Sequence, residues 1–517
     1  VDALILARRM TGRRLGEDVE KAYRKNLLSF IGKKGLTYRR NSFSEDVIID
    51  HQSEFKDSAS MIDQRATLLA LCTLYESTGD EHYKAAADNL CAGLKDIARK
   101  ERDYWYYPAS EYTDTGWPSF DAVHTKLAVD PCAFWGRQIM PLLKWHELTG
   151  NRDAFELCEN FASYIMNHSS VFGPDGRWSG AHEFRNGHSH TRMGTLASLA
   201  RLGRFTCDDE MIQFAKRGFD WFAHEKCTTF GWTPGDLGDQ QYEHETCTLV
   251  DAIDTAIQLA LSGYVSYWSI VEKYVRNHLT EAQLKDTSWI EQSDSKANDI
   301  PGQKTYYRVA DRLKGAFAGY AAPNDFVYAG EWGRGHIMDV QTCCLGAGTR
   351  GLYLAWDHIV TTNGNGRVSI NLLFNHNCEW LELKSCLPHE GCLSVIAKKD
   401  MSDLIIRIPE WVPFGAVRLL RGDGSESLTG RQLPWVKQIF MRVSDVKAGE
   451  TITISFPVMT RQTVEQAATL TYQIKWRGDD VMAIDPPGSY YPLYTRRQIQ
   501  NQVVYVEKRL CEKKGQL

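Results

Sequence analysis

The sequence predicts two structural units, an (α/α) helical toroid over residues 1–360 and an antiparallel β-sandwich over residues 361–517. In the first part, a pattern of helix, turn and helix recurs four times. In the second part, turn residues separate short runs in which apolar and polar residues alternate. Repeated helical hairpins must stack on one another to bury their apolar faces. Regular short strands with turn signals indicate an antiparallel sandwich.

The four helical hairpins share one design, in which an amphipathic helix ends at a short turn and a second helix follows at once. The turns are centred near Asp80, Asn151, Asp208 and Tyr264. Glycine after the last apolar turn of a helix is the expected stop signal. An open solenoid and a closed toroid both satisfy this pattern. The loops between the hairpins are long and rich in Trp, Tyr, His and Gly, and long loops are usually functional. They favour a toroid with these loops around its mouth.

The strands of the second part begin just after the turn sequence Asn363-Gly-Asn-Gly366. The predicted strands are residues 368–373, 393–397, 404–408, 417–420, 439–443 and 451–456. No low-complexity linker separates the two parts, so we expect them to pack firmly. Residues 490–517 fit a strand or a short helix equally well.

Composition excludes several classes of partner. A net charge of −5 gives no electrostatic reason to bind nucleic acid or an anionic membrane surface. No apolar run is long enough to span a bilayer. The 13 cysteines are odd in number and scattered, unlike a disulfide framework. They predict a reducing compartment and therefore the cytoplasm, although the N-terminal sequence leaves open a targeting segment that has been removed.

Four side chains from two distant segments of the sequence could bind one metal ion. Cys343 and Cys344 are adjacent, and Glu245 and Cys247 lie upstream in the motif Glu-Thr-Cys. Adjacent Cα atoms lie about 3.8 Å apart, whereas relaxed disulfides span about 4.4–6.8 Å. The vicinal thiols are therefore better suited to a metal, and three thiols with one carboxylate suit zinc. The alternative is that the thiols are buried packing residues and Glu245 stabilises a helix N-terminus.

A polar cluster precedes the third hairpin and contains Glu183, Asn186, His188, His190 and Arg192. These side chains could bind substrate hydroxyl groups or transfer protons. The two histidines are two residues apart and point differently on a helix, so we do not expect them to chelate one ion together. The cluster is equally compatible with a solvated helix cap.

The loop that precedes Glu245 carries two carboxylates, Asp236 and Asp239, between Gly and Pro residues. A loop carboxylate is most often a solvated turn residue, but the flanking glycines and the nearby thiol motif favour Asp236 as a functional group. Tryptophans in loop-like surroundings are candidate platforms for a sugar. They are Trp135, Trp178, Trp232 and Trp332.

Taken together, these motifs resemble the β-L-arabinofuranosidase family, glycoside hydrolase family 127, over roughly residues 60–460. The resemblance is carried by Glu-Thr-Cys, by Cys-Cys and by the sandwich sequences Ile406-Arg-Ile-Pro-Glu-Trp411 and Lys447-Ala-Gly-Glu450. The Gly-His motif at His188 matches more loosely, because Arg192 is displaced by one position.

The resemblance implies a retaining glycosidase that uses a zinc-bound cysteine as its nucleophile. The implied zinc ligands are Glu245, Cys247, Cys343 and Cys344. Cys343 would be the nucleophile and His188 a substrate-binding residue. The implied partner is a carbohydrate substrate, such as a pentofuranoside attacked from the chain end, and a homodimer is a compatible assembly.

The chain departs from the family pattern at three places. The family's acid/base is a Glu that follows a Gly, whereas Gly235-Asp236 is the nearest equivalent here. We take Asp236 as the acid/base candidate, ahead of Asp239 and Glu183. The family's Cys-Cys-Pro-Pro-Asn is Cys-Cys-Leu-Gly-Ala here, and Arg137 stands where the family has a sugar-binding His. Two rival functions remain open, a polysaccharide lyase acting on uronates and a non-catalytic carbohydrate-binding protein.

Overall fold

A computed structural model describes most of the chain. The described residues are 1–40, 57–113, 115–117, 130–179, 188–237, 244–296, 307–329, 336–338, 340–422, 424, 426–427, 430–432, 439–467 and 470–495. Helices dominate up to residue 357 and strands dominate after it. The protein therefore combines α and β structure in the order that the sequence predicts.

The helices of the described part fall almost entirely in the first two-thirds of the chain. They are α1 (Asp2–Thr11), α2 (Glu17–Ser29), α3 (Met61–Thr78), α4 (Glu81–Ile97), α5 (Cys132–Trp135), α6 (Ile139–Thr149), α7 (Arg152–Asn167), α8 (Ser189–Thr206), α9 (Asp209–Glu225), α10 (Thr246–Leu261), α11 (Tyr267–Tyr274), α12 (Val309–Leu313) and α13 (Thr342–Asp357). None of the described helices is long and apolar enough to cross a bilayer.

All four predicted hairpins are present, as the pairs α3/α4, α6/α7, α8/α9 and α10/α11. Three of their second helices begin with a side-chain cap, in which Asp80, Asn151 or Asp208 accepts a hydrogen bond from a backbone N–H of the first turn. Such caps satisfy backbone donors that the helix itself leaves free. In these three hairpins the turn residue thus fixes where the second helix begins.

Helix α8 is longer than its sequence pattern predicts. The pattern predicts an end at Gly203, but the helix continues to Thr206 and ends at Cys207, which has a φ of 57°. At Gly203 an added Cβ would lie 2.9 Å from a side-chain atom of Ile212 on α9. Gly203 is therefore required for close helix packing and does not terminate the helix.

Within the hairpins, the first and second helices differ in burial. Helices α8 and α10 are buried over most of their length, whereas α7 and α9 bury one face and expose the other. A helix with one apolar face typically lies at the surface of a core. A helix that is apolar on all sides typically lies inside the core. The arrangement therefore places α8 and α10 near the centre of the helical part.

The strands of the described part form two larger sheets and several small ones. They are β1 (Arg39–Arg40), β2 (Asp57–Ser60), β3 (Arg99–Lys100), β4 (Trp105–Tyr106), β5 (Glu111–Thr113), β6 (His244–Glu245), β7 (Tyr320–Ala321), β8 (Tyr328–Ala329), β9 (His336–Ile337), β10 (Val360–Thr362), β11 (Arg367–Ile370), β12 (His376–Asn377), β13 (Leu381–Ser385), β14 (Cys392–Ala397), β15 (Met401–Ile408), β16 (Arg418–Arg421), β17 (Glu426–Ser427), β18 (Gly430–Gln432), β19 (Ile439–Val446), β20 (Thr451–Ser455), β21 (Thr460–Ala467), β22 (Leu470–Arg477) and β23 (Asp480–Asp485).

The two larger sheets have the orders β10-β11-β15-β19-β18 and β12-β13-β14-β20-β16-β17. Inward-facing residues of both sheets belong to one hydrophobic cluster, which also includes the helical core. One pair departs from the predicted antiparallel pattern, because β11 and β15 are parallel. The chain leaves the first sheet after β11, forms β12 to β14 in the second, and returns as β15 in the same direction.

A third sheet, β21-β22-β23, follows the region of the sequence-predicted strands. Its apolar residues form a second hydrophobic cluster with loop residues of the helical part, among them Phe230 and Phe326. Asn277, just after α11, donates to the carbonyl of Asp479 and accepts from the N–H of Val481, both at 2.8 Å. These contacts tie the end of the described chain to the helices around the candidate site.

Candidate functional site

The four sequence-predicted metal ligands converge. One ligand atom from each of Glu245, Cys247, Cys343 and Cys344 lies within 4.8 Å of every other. The Sγ atoms of Cys247 and Cys344 are 3.3 Å apart, and those of Cys343 and Cys344 are 3.9 Å apart. The pair Glu245 and Cys247 lies about a hundred positions before the pair Cys343 and Cys344, so only the folded chain brings the two pairs together.

Two helix N-termini position the thiols. Cys247 is the second residue of α10, and Cys343 and Cys344 are the second and third residues of α13. The partial positive charge at a helix N-terminus favours thiolates, because the first backbone N–H groups have no partner within the helix. The two termini therefore favour a thiolate at this place, and the pKa directions assign it to Cys343, since the pKa values of Cys247 and Cys344 are raised.

Glycines allow the two helices to approach closely enough. A Cβ added at Gly351 of α13 would lie 2.7 Å from Val250 of α10, and one added at Gly348 would lie 2.2 Å from the ring of Phe317. Both distances are far below van der Waals contact. Any larger residue at these positions would push α13 away, and Cys344 with it.

Glu245 is held by a short antiparallel ladder. It pairs with Tyr320 between β6 and β7, and the carbonyl of the preceding Gly319 accepts a weak hydrogen bond from Cys344 Sγ at 3.6 Å. Across the site, Gly235 approaches so closely that an added Cβ would lie 3.2 Å from the Glu245 Cβ. The carboxylate is thus fixed on a backbone ladder.

Burial separates Cys343 from the other ligands. Glu245, Cys247 and Cys344 are each at most 2% exposed, whereas Cys343 is exposed. Hydrogen bonds from Cys247 and Cys344 lower the pKa of the Cys343 thiol far below its ordinary value. The hydrogen bond between Cys247 and Cys343 raises the pKa of Cys247. Cys343 is therefore both the accessible sulfur and the first to lose its proton.

The donor set fits zinc. Ligand bonds of about 2.0–2.3 Å in tetrahedral geometry imply ligand-to-ligand separations of about 3.3–3.8 Å, close to the two sulfur separations in this cluster. Three soft sulfurs and one carboxylate oxygen are typical zinc ligands. The residues that would hold the ion are Glu245, Cys247, Cys343 and Cys344.

His188 lies beside this quartet at the start of α8. Its Nε2 is 3.0 Å from Glu245 Oε2, and 35% of its side chain is exposed. Burial opposes the charged imidazole, but the Glu245 carboxylate outweighs burial and raises the pKa of His188. The same contact lowers the pKa of Glu245 against the effect of its burial. His188 thus orients the Glu245 carboxylate, while part of its own ring stays accessible to solvent.

Asp236 lies at the same place, in the loop that leads to β6. It is half-buried, the N–H of Leu237 donates to its Oδ1 at 2.7 Å, and the neighbouring Gly235 carbonyl accepts from the N–H of Ser189 at 3.0 Å. The negative charge of Asp236 acts to raise the pKa values of His188 and Arg192. The hydrogen bond from Ser189 therefore holds the loop against the first turn of α8.

His190 and Arg192 are buried behind His188. The Nδ1 of His190 is 2.7 Å from Asp251 Oδ2, and its Nε2 contacts a guanidinium nitrogen of Arg137. Since arginine can only donate, Nε2 accepts and Nδ1–H donates to the carboxylate. Arg192 donates to the carbonyl of Ser179 at 2.8 Å.

Sequence reasoning missed Asp251 and treated Arg137 only as a departure from the family pattern. Asp251 stands in helical sequence with no flanking turn residue, so no local signal separates it from ordinary helix residues. Arg137 follows Gly136 in a short 3₁₀ turn, and an arginine after a glycine is not by itself a sign of function. The only usable sign is the spacing of Asp251, which follows Cys247 by four residues and so lies on the same helix face.

The tryptophan platforms are corrected by the structure. Trp135, Trp178 and Trp232 are each at most 1% exposed and belong to the hydrophobic clusters. Their indole N–H groups donate to the carbonyls of Tyr107, Gly218 and Ala321, respectively. Tryptophan favours such sites because its ring is apolar and its single donor needs a partner. Trp232, predicted to bind substrate, is therefore a core residue.

Several predicted residues lie outside the described part of the chain. They are Glu183, Asn186, Asp239 and Trp332.

No family model matches the sequence, and no curated protein sequence matches it. Solved structures do match. A GH127 β-L-arabinofuranosidase from Geobacillus stearothermophilus T6 superimposes with a TM-score of 0.60 at 13% identity, covering 93% of this chain and 74% of that one.

The chain shares the fold of the GH127 β-L-arabinofuranosidases. A second GH127 β-arabinofuranosidase gives a TM-score of 0.61 at 13% identity, with coverage of 93% and 74%. A structure described as a glycoside hydrolase gives 0.59 at 15% identity, with coverage of 90% and 74%. The resemblance drawn from short motifs is thus confirmed at the level of the fold, as that of a distant relative.

Proposed function

We propose that the protein is a zinc-dependent retaining glycoside hydrolase in which Cys343 is the nucleophile. The observation that carries this proposal is the quartet of Glu245, Cys247, Cys343 and Cys344, whose ligand atoms lie within 4.8 Å of one another on a GH127-like fold. Among the four, Cys343 alone combines an exposed side chain with a strongly lowered pKa. These are the two properties that a sulfur nucleophile needs.

Bound zinc would supply the positive charge that keeps all three thiols of the quartet deprotonated. The chain's own residues would do the rest. Glu245 and the two buried thiols fill fixed positions, and the exposed Cys343 sulfur faces the substrate. His188 holds the Glu245 carboxylate at 3.0 Å and presents its free edge to a sugar hydroxyl.

The proposed reaction is a double displacement. The Cys343 thiolate forms a bond to the anomeric carbon while the bond from that carbon to the leaving oxygen breaks. Asp236 donates a proton to the leaving oxygen. In the second half, Asp236 removes a proton from water, the water oxygen bonds to the anomeric carbon, and the Cys343 thiolate leaves. Two inversions at one carbon give net retention of configuration.

Asp236 is the proposed acid/base because it is half-buried and its loop is hydrogen-bonded, through the Gly235 carbonyl, to Ser189 next to His188. His190 and Arg192 are proposed to shape the substrate pocket from behind. The Arg137–His190–Asp251 chain fixes the tautomer and orientation of the His190 ring. Glu183 and Asp239 remain weaker candidates for the acid/base role.

The finer architecture and the substrate class are part of the same proposal. The helical hairpins would close into an (α/α) toroid over residues 1–360, and the two larger sheets would form a sandwich in residues 361–517. The likeness to β-L-arabinofuranosidases favours action at the chain end of a pentofuranoside or a related sugar. The lyase and the purely binding role are the rivals that the experiment must separate.

The test compares the wild type with Cys343→Ala in two measurements. One is the metal content of the purified proteins, and the other is their hydrolysis of glycosides. We expect about one zinc per wild-type chain and a product of retained configuration by NMR. Removing a nucleophile typically costs about 10⁴–10⁶ in kcat, so Cys343→Ala should lose activity on that scale. The control is Cys378→Ala, a half-buried thiol in the β-rich part, which should keep full activity.

Several outcomes would overturn the proposal. They are a product of inverted configuration, full activity in Cys343→Ala, or release of an unsaturated uronide that absorbs in the ultraviolet. Sugar binding with no turnover across chromogenic pentosides would favour the non-catalytic role.

A further inference from the structure

Two half-buried cysteines lie opposite each other at the place where β13 ends and β14 begins. The two strands are antiparallel, and the last pair of their register is Ser385 with Leu393. One step further along, Cys386 is opposite Cys392, and the N–H of Cys386 donates to the carbonyl of Cys392 at 2.9 Å. The backbone thus continues the ladder by one more pair, and both members of that pair carry a thiol.

The alternation of burial shows which way the two thiols point. Along β14, Leu393, Val395 and Ala397 are buried and the residues between them are half-buried, and β13 begins with the same alternation. Successive side chains of a strand point to opposite faces of the sheet. Cys386 and Cys392 therefore share the outer face of the sheet, where small molecules can reach them.

The spacing of this pair suits a disulfide bond. Residues opposite each other in an antiparallel pair have Cα atoms about 4.5–5.5 Å apart, and relaxed disulfides span about 4.4–6.8 Å between Cα atoms. The adjacent residues Cys343 and Cys344 fail this condition, whereas Cys386 and Cys392 meet it. Burial and the neighbouring Cys386 thiol both raise the pKa of Cys392, which agrees with this placement.

A metal site is the other common use of paired thiols. His389 and Glu390 follow Cys386 in the turn and could add ligands. Among the residues that the structure describes, however, only the quartet around Glu245 brings three or more such side chains close enough to hold an ion. A covalent bond between the two sulfurs is therefore the chemistry that suits this place.

We propose that Cys386 and Cys392 are a site of reversible oxidation, at which a small-molecule disulfide such as glutathione disulfide converts the two thiols to an intrachain disulfide. The thiolate of one cysteine bonds to one sulfur of glutathione disulfide, whose S–S bond breaks, and one glutathione thiolate leaves. The second cysteine loses its proton to water and bonds to the protein sulfur of the mixed disulfide, and the second glutathione thiolate leaves.

The balance of this exchange is two electrons passed from the protein thiols to glutathione disulfide. Two protein thiols and one glutathione disulfide give one protein disulfide and two molecules of reduced glutathione, and an excess of reduced glutathione drives both steps back. The site is independent of the proposed hydrolase function, because neither sulfur belongs to the quartet.

The turn that the bond would close also joins two sheets. Arg477, the last residue of β22, donates to the carbonyls of Pro388 and His389, each at 2.8 Å. A cross-link at the base of the turn removes conformations in which the turn opens. Oxidation would therefore fasten the contact between the second larger sheet and the third sheet.

The test is peptide mapping by mass spectrometry of the full-length protein. The protein is equilibrated in buffers from fully reduced to fully oxidised glutathione, and the remaining thiols are then blocked with an alkylating agent. In fully oxidised glutathione, we expect most molecules to contain a peptide pair linked through Cys386 and Cys392 and lighter by two hydrogen atoms. The link should disappear when reduced glutathione is added in excess.

Single variants trap the intermediate. In Cys392→Ser the mixed disulfide at Cys386 cannot be resolved, so Cys386 should keep one glutathione, and Cys386→Ser should do the same at Cys392. The control is Cys378→Ser, which removes another half-buried thiol, between β12 and β13, and should leave the link unchanged. Circular dichroism melting verifies that the variants fold.

Three results for the wild type in fully oxidised glutathione would overturn the inference. They are two free thiols at these positions, a separate glutathione on each of them, or a link from either one to Cys378.

Hydrogen exchange tests the effect of the bond on the turn. The N–H groups of His389 and Glu390 both donate to the carbonyl of Cys386, at 2.9 and 3.0 Å. They should exchange several-fold more slowly in the oxidised wild type than in the reduced one, because the closed turn opens less often. Cys392→Ser should show no such difference. Equal exchange in the oxidised and reduced wild type would overturn the role of the bond in fastening the turn.

Discussion

At the scale of single residues, the three thiols of the quartet are chemically alike and differ in their surroundings. Cys247 and Cys344 are enclosed, while Cys343 is exposed and stabilised as a thiolate by hydrogen bonds from both. A sulfur nucleophile needs open space beside it, because the anomeric carbon of the substrate must reach it. The division of roles among identical side chains therefore follows from burial.

Asp236 carries the prediction that tests proton transfer. Asp236→Asn keeps the shape of the side chain but cannot protonate a leaving oxygen, so we expect kcat to fall by about 10²–10⁴ on substrates with poor leaving groups. Substrates with a nitrophenol leaving group need little protonation and should lose much less in the first half-reaction. The measurement is kcat/KM against leaving-group pKa for both proteins.

The conservative variant provides the control for Asp236. Asp236→Glu restores a carboxyl group with one more methylene and should recover part of the activity, since only reach has changed. A uniform loss across all leaving groups in Asp236→Asn would show that Asp236 acts by position alone and would transfer the acid/base role to another carboxylate.

Some residues of this site can be predicted from the sequence and others cannot, for a physical reason. Cys343, Cys344, Cys247 and Glu245 are found because vicinal thiols have few other uses. The burial of Trp232 is not found, because a Gly-rich context resembles a surface loop. Its indole is in fact enclosed by the third sheet, which lies more than two hundred residues away in sequence.

At the scale of elements, the site depends on two helices meeting at their N-termini. Helix α13 approaches α10 through glycines, and no local rule in the sequence distinguishes a glycine that ends a helix from one that permits packing. Gly203 and Gly351 both lie within helices and both face a neighbouring side chain at under 3 Å from an added Cβ. The helices are predictable from periodicity, whereas their distance of approach is not.

Gly351 provides the prediction at this scale. In Gly351→Ala the new methyl group would lie 2.7 Å from Val250, so α13 must shift. Overpacking of this kind typically costs about 1–3 kcal/mol, and the shift would move Cys344 from Cys247. We expect a lower free energy of unfolding together with weaker zinc binding, measured by chemical denaturation and by competition with a chromogenic chelator.

Gly346 is the matched control on the same helix. An added Cβ there meets nothing nearer than Ala3 at 4.0 Å. Replacing glycine by alanine inside a helix usually stabilises it, by up to about 1 kcal/mol. If Gly346→Ala and Gly351→Ala change stability and zinc affinity in the same direction, close packing of α13 on α10 is not what holds the thiols together.

At the scale of the whole molecule, the helical and β-rich parts share one hydrophobic cluster. The order of helices and strands follows from periodicity alone. The parallel pairing of β11 with β15 does not, because it depends on the chain crossing to the other sheet and returning. The attachment of the third sheet to Asn277, just after α11, is likewise a contact between distant segments, which single-sequence patterns do not encode.

A buried ion network joins the two parts and provides the last prediction. Glu272 on α11 is fully buried, accepts from Arg276 Nε at 2.7 Å, and forms an ion pair with the equally buried Arg407 of β15. Removing one partner of a buried pair leaves an uncompensated charge and typically costs about 3–5 kcal/mol. In Glu272→Gln Arg407 loses its paired carboxylate and Arg276 keeps only Asp480, at 3.4 Å, so we expect a loss of unfolding free energy on that scale.

Because Glu272 links helix to strand, its loss should also affect how the molecule unfolds. The helical and β-rich parts should separate into two transitions, or a single transition should move to much lower denaturant when followed by far-ultraviolet circular dichroism and by tryptophan fluorescence. The control is Glu379→Gln, which breaks the exposed ion pair with Lys399. Exposed pairs contribute about 0–1 kcal/mol, so that variant should unfold almost as the wild type does. Equal effects of the two substitutions would mean that the shared hydrophobic cluster alone joins the two parts, and that the ions merely accompany it.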